Sequence, residues 1–235
     1  MSDTIDATVI RLIGEAGEKA LFGKWVDSYN IDKLSWLTAA ITSSAYADEH
    51  MRCATRFPDK YALLEHCISV APQECLLLEV GVFSGDTIRR IARCRPDQQV
   101  YGFDSFQGLP EDWRPGFQKG QFSIENLPDV PSNVQLIRGW FNETLPDFCA
   151  HHKTDKISFL HVDCDLYSST QTIFSELRSM IGPGTIILFD EFFNYPGWQR
   201  HEARAFDEFC RANRVAFEHI GLVSHHQQAA VRVLG

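Results

Sequence analysis

The chain has 235 residues, 44% of them hydrophobic, and a formal net charge of −9 from 22 Lys and Arg against 31 Asp and Glu. That length and apolar content allow one large α/β domain with a short extension, and no basic concentration suits a nucleic-acid groove or an anionic membrane surface. Seven scattered cysteines without a C-x-x-C pair exclude a disulfide frame and a zinc site and read as reduced thiols, which points to the cytoplasm.

The N-terminus, Met1 to Asp6, is polar and acidic and does not read as a secretory signal, and no apolar run reaches membrane-spanning length. Residues 1–70 read as helical. Thr8–Ile13 and Leu34–Ile41 carry apolar residues at helical spacing, and Phe57–Ile68 does so with Pro58 near the helix start. This stretch is expected to be an N-terminal helical cap, not an independent domain, on a domain of residues 71–235.

The chain is organised around Leu76–Gly85. An apolar run of strand length is followed by Gly81 and Gly85 and then by a helix pattern over Asp86–Arg93. A strand, a glycine turn and a helix bring backbone close to a ligand, because a side chain at either glycine would block the approach. The dinucleotide fingerprint and the Walker lysine are both missing. The E-x-G-x-x-x-G spacing of Glu79, Gly81 and Gly85 resembles the first motif of class I S-adenosylmethionine (SAM)-dependent methyltransferases; a plain strand-turn-helix is the other reading.

Further strands are predicted over Val100–Phe103, Val134–Ile137, Ile157–Val162 and Thr185–Phe189. Helices are predicted over Ser169–Met180 and Trp198–Asn213, and Phe217–Ile220 with Ala229–Leu234 reads as a terminal hairpin. Ser105–Pro131 is a long Gly- and Pro-rich excursion. The alternation predicts a Rossmann-like, doubly wound, mostly parallel seven-stranded sheet with a C-terminal antiparallel hairpin. Ligands in such sheets sit beyond the carboxyl ends of the strands.

Those ends carry the chemistry. Asp104 ends the second strand, where a carboxylate can accept from both hydroxyls of a ribose or can cap a turn. Ser105, Gly139 and Trp140 fall near an adenine by position. Asp163-Cys164-Asp165 and Asp190-Glu191 end neighbouring strands. Carboxylates converging there repel one another, and a hard cation such as Mg²⁺ would relieve this; the alternative is that they point apart into water. His161 shares a strand face with Asp163 and reads as a second-layer catalytic group or as a core histidine. Cys164, between two acids, reads as inert packing. His225-His226 reads as solvated loop.

Phe103–Pro110, His161–Thr170 and Phe189–Phe192 together resemble the macrocin O-methyltransferase (TylF-type) family over residues 57–234. The resemblance implies a SAM- and Mg²⁺-dependent enzyme that methylates a sugar hydroxyl of a natural product. It implies that Asp163, Asp190 and Glu191 hold the metal and that Asp165 is the general base. The SAM site is expected at Glu79, Gly81, Gly85, Asp104, Ser105, Gly139, Trp140 and Asp163, by their place at the glycine turn and the strand ends. Glu191 stands where the family often has Asp, which bears on metal geometry. The expected partner is a small hydroxylated or glycosylated acceptor, with no nucleic acid or membrane; a homodimer stays open. The rival readings are a metal-independent N- or phenol O-methyltransferase, a nicotinamide oxidoreductase, which the missing third glycine opposes, and a non-catalytic Rossmann-like binding protein.

Overall fold

The computed structural model describes residues 30–235. Helix α1 spans Ile31–His50, and Asn30 caps it by accepting from the Lys33 N–H. Helix α2, Lys60–Val70, starts one residue after Asp59, whose Oδ1 accepts from the N–H groups of Tyr61 and Ala62. Both helices fall in predicted stretches. The predicted helix over Thr8–Ile13 lies outside the described residues.

The strands are β1 Thr55–Arg56, β2 Leu76–Val80, β3 Val100–Asp104, β4 Val134–Arg138, β5 Ile157–Val162, β6 Ile186–Phe189, β7 Phe217–Leu222 and β8 Ala229–Val233. They form one sheet in the order β1-β7-β8-β6-β5-β2-β3-β4. Only β8 runs against its neighbours β6 and β7; the other pairings are parallel. The expected seven strands are present, and β1 adds a two-residue eighth at the edge. So short a strand has no periodicity to read.

Connections from β2 run outward through β3 to β4, and those from β5 run the opposite way through β6. The reversal falls between β2 and β5, which pair directly and set Glu79 opposite His161. Parallel strands buried on both faces need apolar residues at successive positions, and β2 and β5 supply them. Leu77 packs on one side with Leu63, Ile68 and Ile88 of α2 and α3 (Asp86–Cys94). Leu78 packs on the other, in the layer of α4 (Phe141–His151), α5 (Tyr167–Glu176) and α6 (Glu202–Asn213), with Phe148, Phe174 and Phe206.

Three departures from expectation have local causes. Helix α4 has no counterpart in the sequence reading, because Pro146 sits inside it and reads as a breaker. The helix expected over Ser169–Met180 starts at Tyr167 and tightens after Glu176 into a 3₁₀ turn, Leu177–Ser179. The helix expected from Trp198 is two pieces: a 3₁₀ turn over Trp198–Arg200, then α6, separated at His201 by a non-helical backbone with φ −113° and ψ −130°.

Candidate functional site

Four strand ends, of β2, β3, β5 and β6, are stitched together by backbone. The Asp163 N–H donates to the Val80 carbonyl, the Asp190 N–H to Val162 and the Gly81 N–H to Phe103. Beyond them lies a cavity of about 270 Å³, whose lining includes Gly81, Asp104, Ser105, Gly139 and Trp140 together with Asp163, Asp165, Asp190 and Glu191. Most of the expected site residues therefore meet in one place.

Three do not reach its wall: Gly85, Glu79 and His161. Gly85 forms the left-handed start of α3, with φ 80°. Glu79 is fully buried behind the strand end, its Oε1 2.7 Å from His161 Nδ1. Gly85 shapes the turn, and Glu79 hydrogen-bonds His161. His161 is itself 1% exposed.

Gly81 has φ +94°, and a Cβ there would meet the backbone oxygen of Asp163. The expectation that a side chain would obstruct a ligand is thus replaced by a nearer obstacle, the neighbouring strand. Asp104 caps the turn: Oδ2 accepts from the N–H groups of Val82 and Phe83, each at 2.8 Å, and Oδ1 accepts from Phe106 at 2.7 Å. Two lone pairs per oxygen leave Oδ1 one further acceptor position. Of the two readings posed by the sequence, capping is present, and it leaves an acceptor position open for the other.

The acids do converge. One ligand atom each from His161, Asp163 and Asp190 lies within 4.8 Å of the others. Glu191 lines the same cavity but stands outside this trio, its Oε2 buried and unpartnered. Of the three acids that the resemblance implies for a metal, Asp163 and Asp190 belong to this trio and Glu191 lines the cavity beside it. Burial, then the neighbouring acids Asp190 and Asp165, pushes Asp163 and Glu191 well above the usual carboxylate range. Asp165 is pushed up to about 7 by burial, against the pull of Arg114 and with the push of Asp190. It sits at φ 65°, in a three-residue turn closed by the Leu166 N–H to the Cys164 carbonyl at 2.6 Å. Non-glycine residues held there cost roughly 1–3 kcal/mol and cluster at functional sites.

Three further charged residues escape sequence reasoning. Glu202, at the start of α6, is fully buried, and its Oε1 accepts from the Asp165 N–H at 3.2 Å. Lys60 lines the cavity; burial opposes its charge, but Asp190, Asp163 and Glu191 outweigh it and raise its pKa. Arg114 lies 3.9 Å from the ring centre of Trp113 and 4.8 Å from that of Tyr195. All three lie far in sequence from the strand ends, and no local pattern marks them. Cys164 is buried, its thiol pushed up chiefly by burial and then by Glu202, so it packs inertly as expected.

Comparison with known proteins matches residues 78–192 to the family described as "Methyltransferase domain". A curated relative from Streptomyces olivaceus, 8-demethyl-8-(2,3-dimethoxy-alpha-L-rhamnosyl)-tetracenomycin-C 4'-O-methyltransferase, is 26% identical over 55% of this chain and 58% of its own length. Demethyldecarbamoylnovobiocin O-methyltransferase from Streptomyces niveus is 26% identical over 51% of this chain and 53% of its own. The chain thus spans a little over half the length of these curated relatives. Among solved structures, the calicheamicin methyltransferase CalS11 superposes with TM-score 0.59 at 20% identity, covering 90% of this chain and 96% of that one. The O-methyltransferase NovP gives 0.56 at 20% identity, covering 89% and 100%. These likenesses show the fold, and no helix among the described residues is long and apolar enough to cross a membrane. The stretch that matches the methyltransferase-domain family, residues 78–192, carries the glycine turn and the strand-end acids that surround the cavity.

Proposed function

We propose that the chain is a SAM-dependent O-methyltransferase of the macrocin type, acting on a hydroxyl of a small glycosylated or hydroxylated natural product. One observation carries the reading: a single cavity joins the Asp104-capped glycine turn to the strand-end acids. The curated relatives' names, which specify methylation of glycosylated antibiotics, support the acceptor class.

In this reading Asp104, Ser105, Gly139 and Trp140 hold the nucleoside part of the cofactor, and Asp163 faces its other end. Asp163 and Asp190, with Glu191 beside them, would hold a divalent cation; their convergence and the orphaned Glu191 oxygen fit one. When bound, SAM supplies the electrophilic methyl group and the cation lowers the pKa of the acceptor hydroxyl. Asp165 takes the hydroxyl proton on a carboxylate oxygen. Glu202 fixes the turn that aims Asp165. Helix α1 caps the domain: Trp198 Nε1 donates to Thr42 at 3.1 Å and the Asn194 N–H to Ser43 at 2.8 Å, tying α1 to the segment after β6.

A second reading is favoured by Lys60, whose ammonium already offsets part of the acidic charge: transfer without metal, to a nitrogen or a phenol. Calorimetric titration with SAM and S-adenosylhomocysteine tests the cofactor, and no binding heat at any temperature overturns the reading. Methyl transfer from labelled SAM to a panel of glycosides, with and without EDTA, separates the two versions. Activity that survives EDTA on phenols alone favours the metal-free one.

A further inference from the structure

We infer that His161 is a direct ligand of the divalent cation through Nε2, so that the site prefers a first-row transition ion to Mg²⁺. The inference rests on the proposed cation site and specifies its donors and its ion. His161 and Asp163 are two apart on β5 and therefore share a face. Asp190 follows the adjacent strand β6, and the three donors come within 4.8 Å of one another.

The other ring nitrogen is engaged. Glu79 lies opposite His161 in the β2–β5 register and accepts from Nδ1–H at 2.7 Å. That hydrogen bond selects the neutral tautomer with its lone pair on Nε2. No described residue hydrogen-bonds Nε2, although the side chain is 1% exposed. A buried carboxylate on one nitrogen of a histidine that stands beside two further carboxylates is the arrangement that orients metal-ligating imidazoles. Imidazole suits transition ions, whereas carboxylate and water alone suit Mg²⁺.

The test is titration calorimetry of the full chain with Mg²⁺, Mn²⁺ and Co²⁺, with pulsed electron paramagnetic resonance of the Mn²⁺ complex. Mn²⁺ and Co²⁺ are expected to bind about tenfold or more tightly than Mg²⁺, and the Mn²⁺ spectrum is expected to show ¹⁴N modulation from a bound imidazole. His161→Gln should abolish the modulation and weaken Mn²⁺ by about tenfold or more. Should that variant fail to fold, histidine-only ¹⁵N labelling of the wild type should replace the ¹⁴N modulation with ¹⁵N coupling. Bound Mn²⁺ without nitrogen coupling, coupling that persists in folded His161→Gln, ¹⁴N modulation unchanged by the histidine label, or no transition-ion binding would each overturn the inference. SAM titration of the same sample keeps the failures apart. SAM binding without transition-ion binding rejects His161 as ligand and leaves the methyltransferase reading standing. Nitrogen coupling without SAM binding does the reverse.

Discussion

A Cβ on Gly81 would lie 1.7 Å from the carbonyl oxygen of Asp163. The turn after β2 and the acidic end of β5 are thus one packed unit, and Gly81 is required by the backbone beside it. Its φ of +94° adds strain for any other residue. Gly81→Ala should therefore lower folding stability by about 2 kcal/mol or more and weaken SAM binding together with it. A melting temperature equal to wild type would show that the two strand ends can separate freely.

Asp104→Asn tests the capped turn. The carboxylate accepts three backbone N–H groups, and Asn replaces one acceptor oxygen with a donor. A buried N–H left without a partner costs about 1–3 kcal/mol. Hydrogen exchange at Val82 and Phe83 should accelerate, and SAM affinity should fall about tenfold or more. Unchanged exchange at both amides would leave Asp104 with no capping role.

Asp165→Asn should keep the turn, because the contact from Glu202 goes to the Asp165 backbone. It removes the proton acceptor, so kcat on an accepted substrate should fall about 10²- to 10⁴-fold. The SAM dissociation constant should hold within a few-fold. A kcat near wild type would take Asp165 out of the base role.

His219 gives a pH prediction away from the cavity. Burial, then His50, lowers its pKa to about 4, and Tyr46 lies 3.2 Å from its Nε2. Because the folded pKa lies below the unfolded value, the unfolded chain binds a proton between pH 4 and about 6.5 that the folded chain refuses. This contribution is fully present above about pH 6.5 and is lost as pH falls through 4, on the order of 3 kcal/mol in all. Urea denaturation of wild type and His219→Asn at pH 4, 5, 6 and 7 checks it. The stability difference between them should grow with pH and level off near neutrality; a difference constant across that range would count against a neutral buried imidazole.

Glycines, apolar runs and strand-end acids lie within a few residues of one another along the chain, so hydrophobic periodicity and turn chemistry alone placed the seven long strands, the glycine turn and the acids Asp163, Asp165, Asp190 and Glu191. Those features are local, and local pattern is what a sequence displays. The tertiary structure decided the rest because it depends on contacts between distant segments. Register between β2 and β5 joined Glu79 to His161 across 82 positions. Closure of α6 against the Asp165 turn buried Glu202 among the acids, and α2 brought Lys60 to the cavity wall. Pro146 inside α4 shows the same limit in reverse: a local breaker signal was overridden by the apolar packing of Leu145 and Phe148 against the sheet.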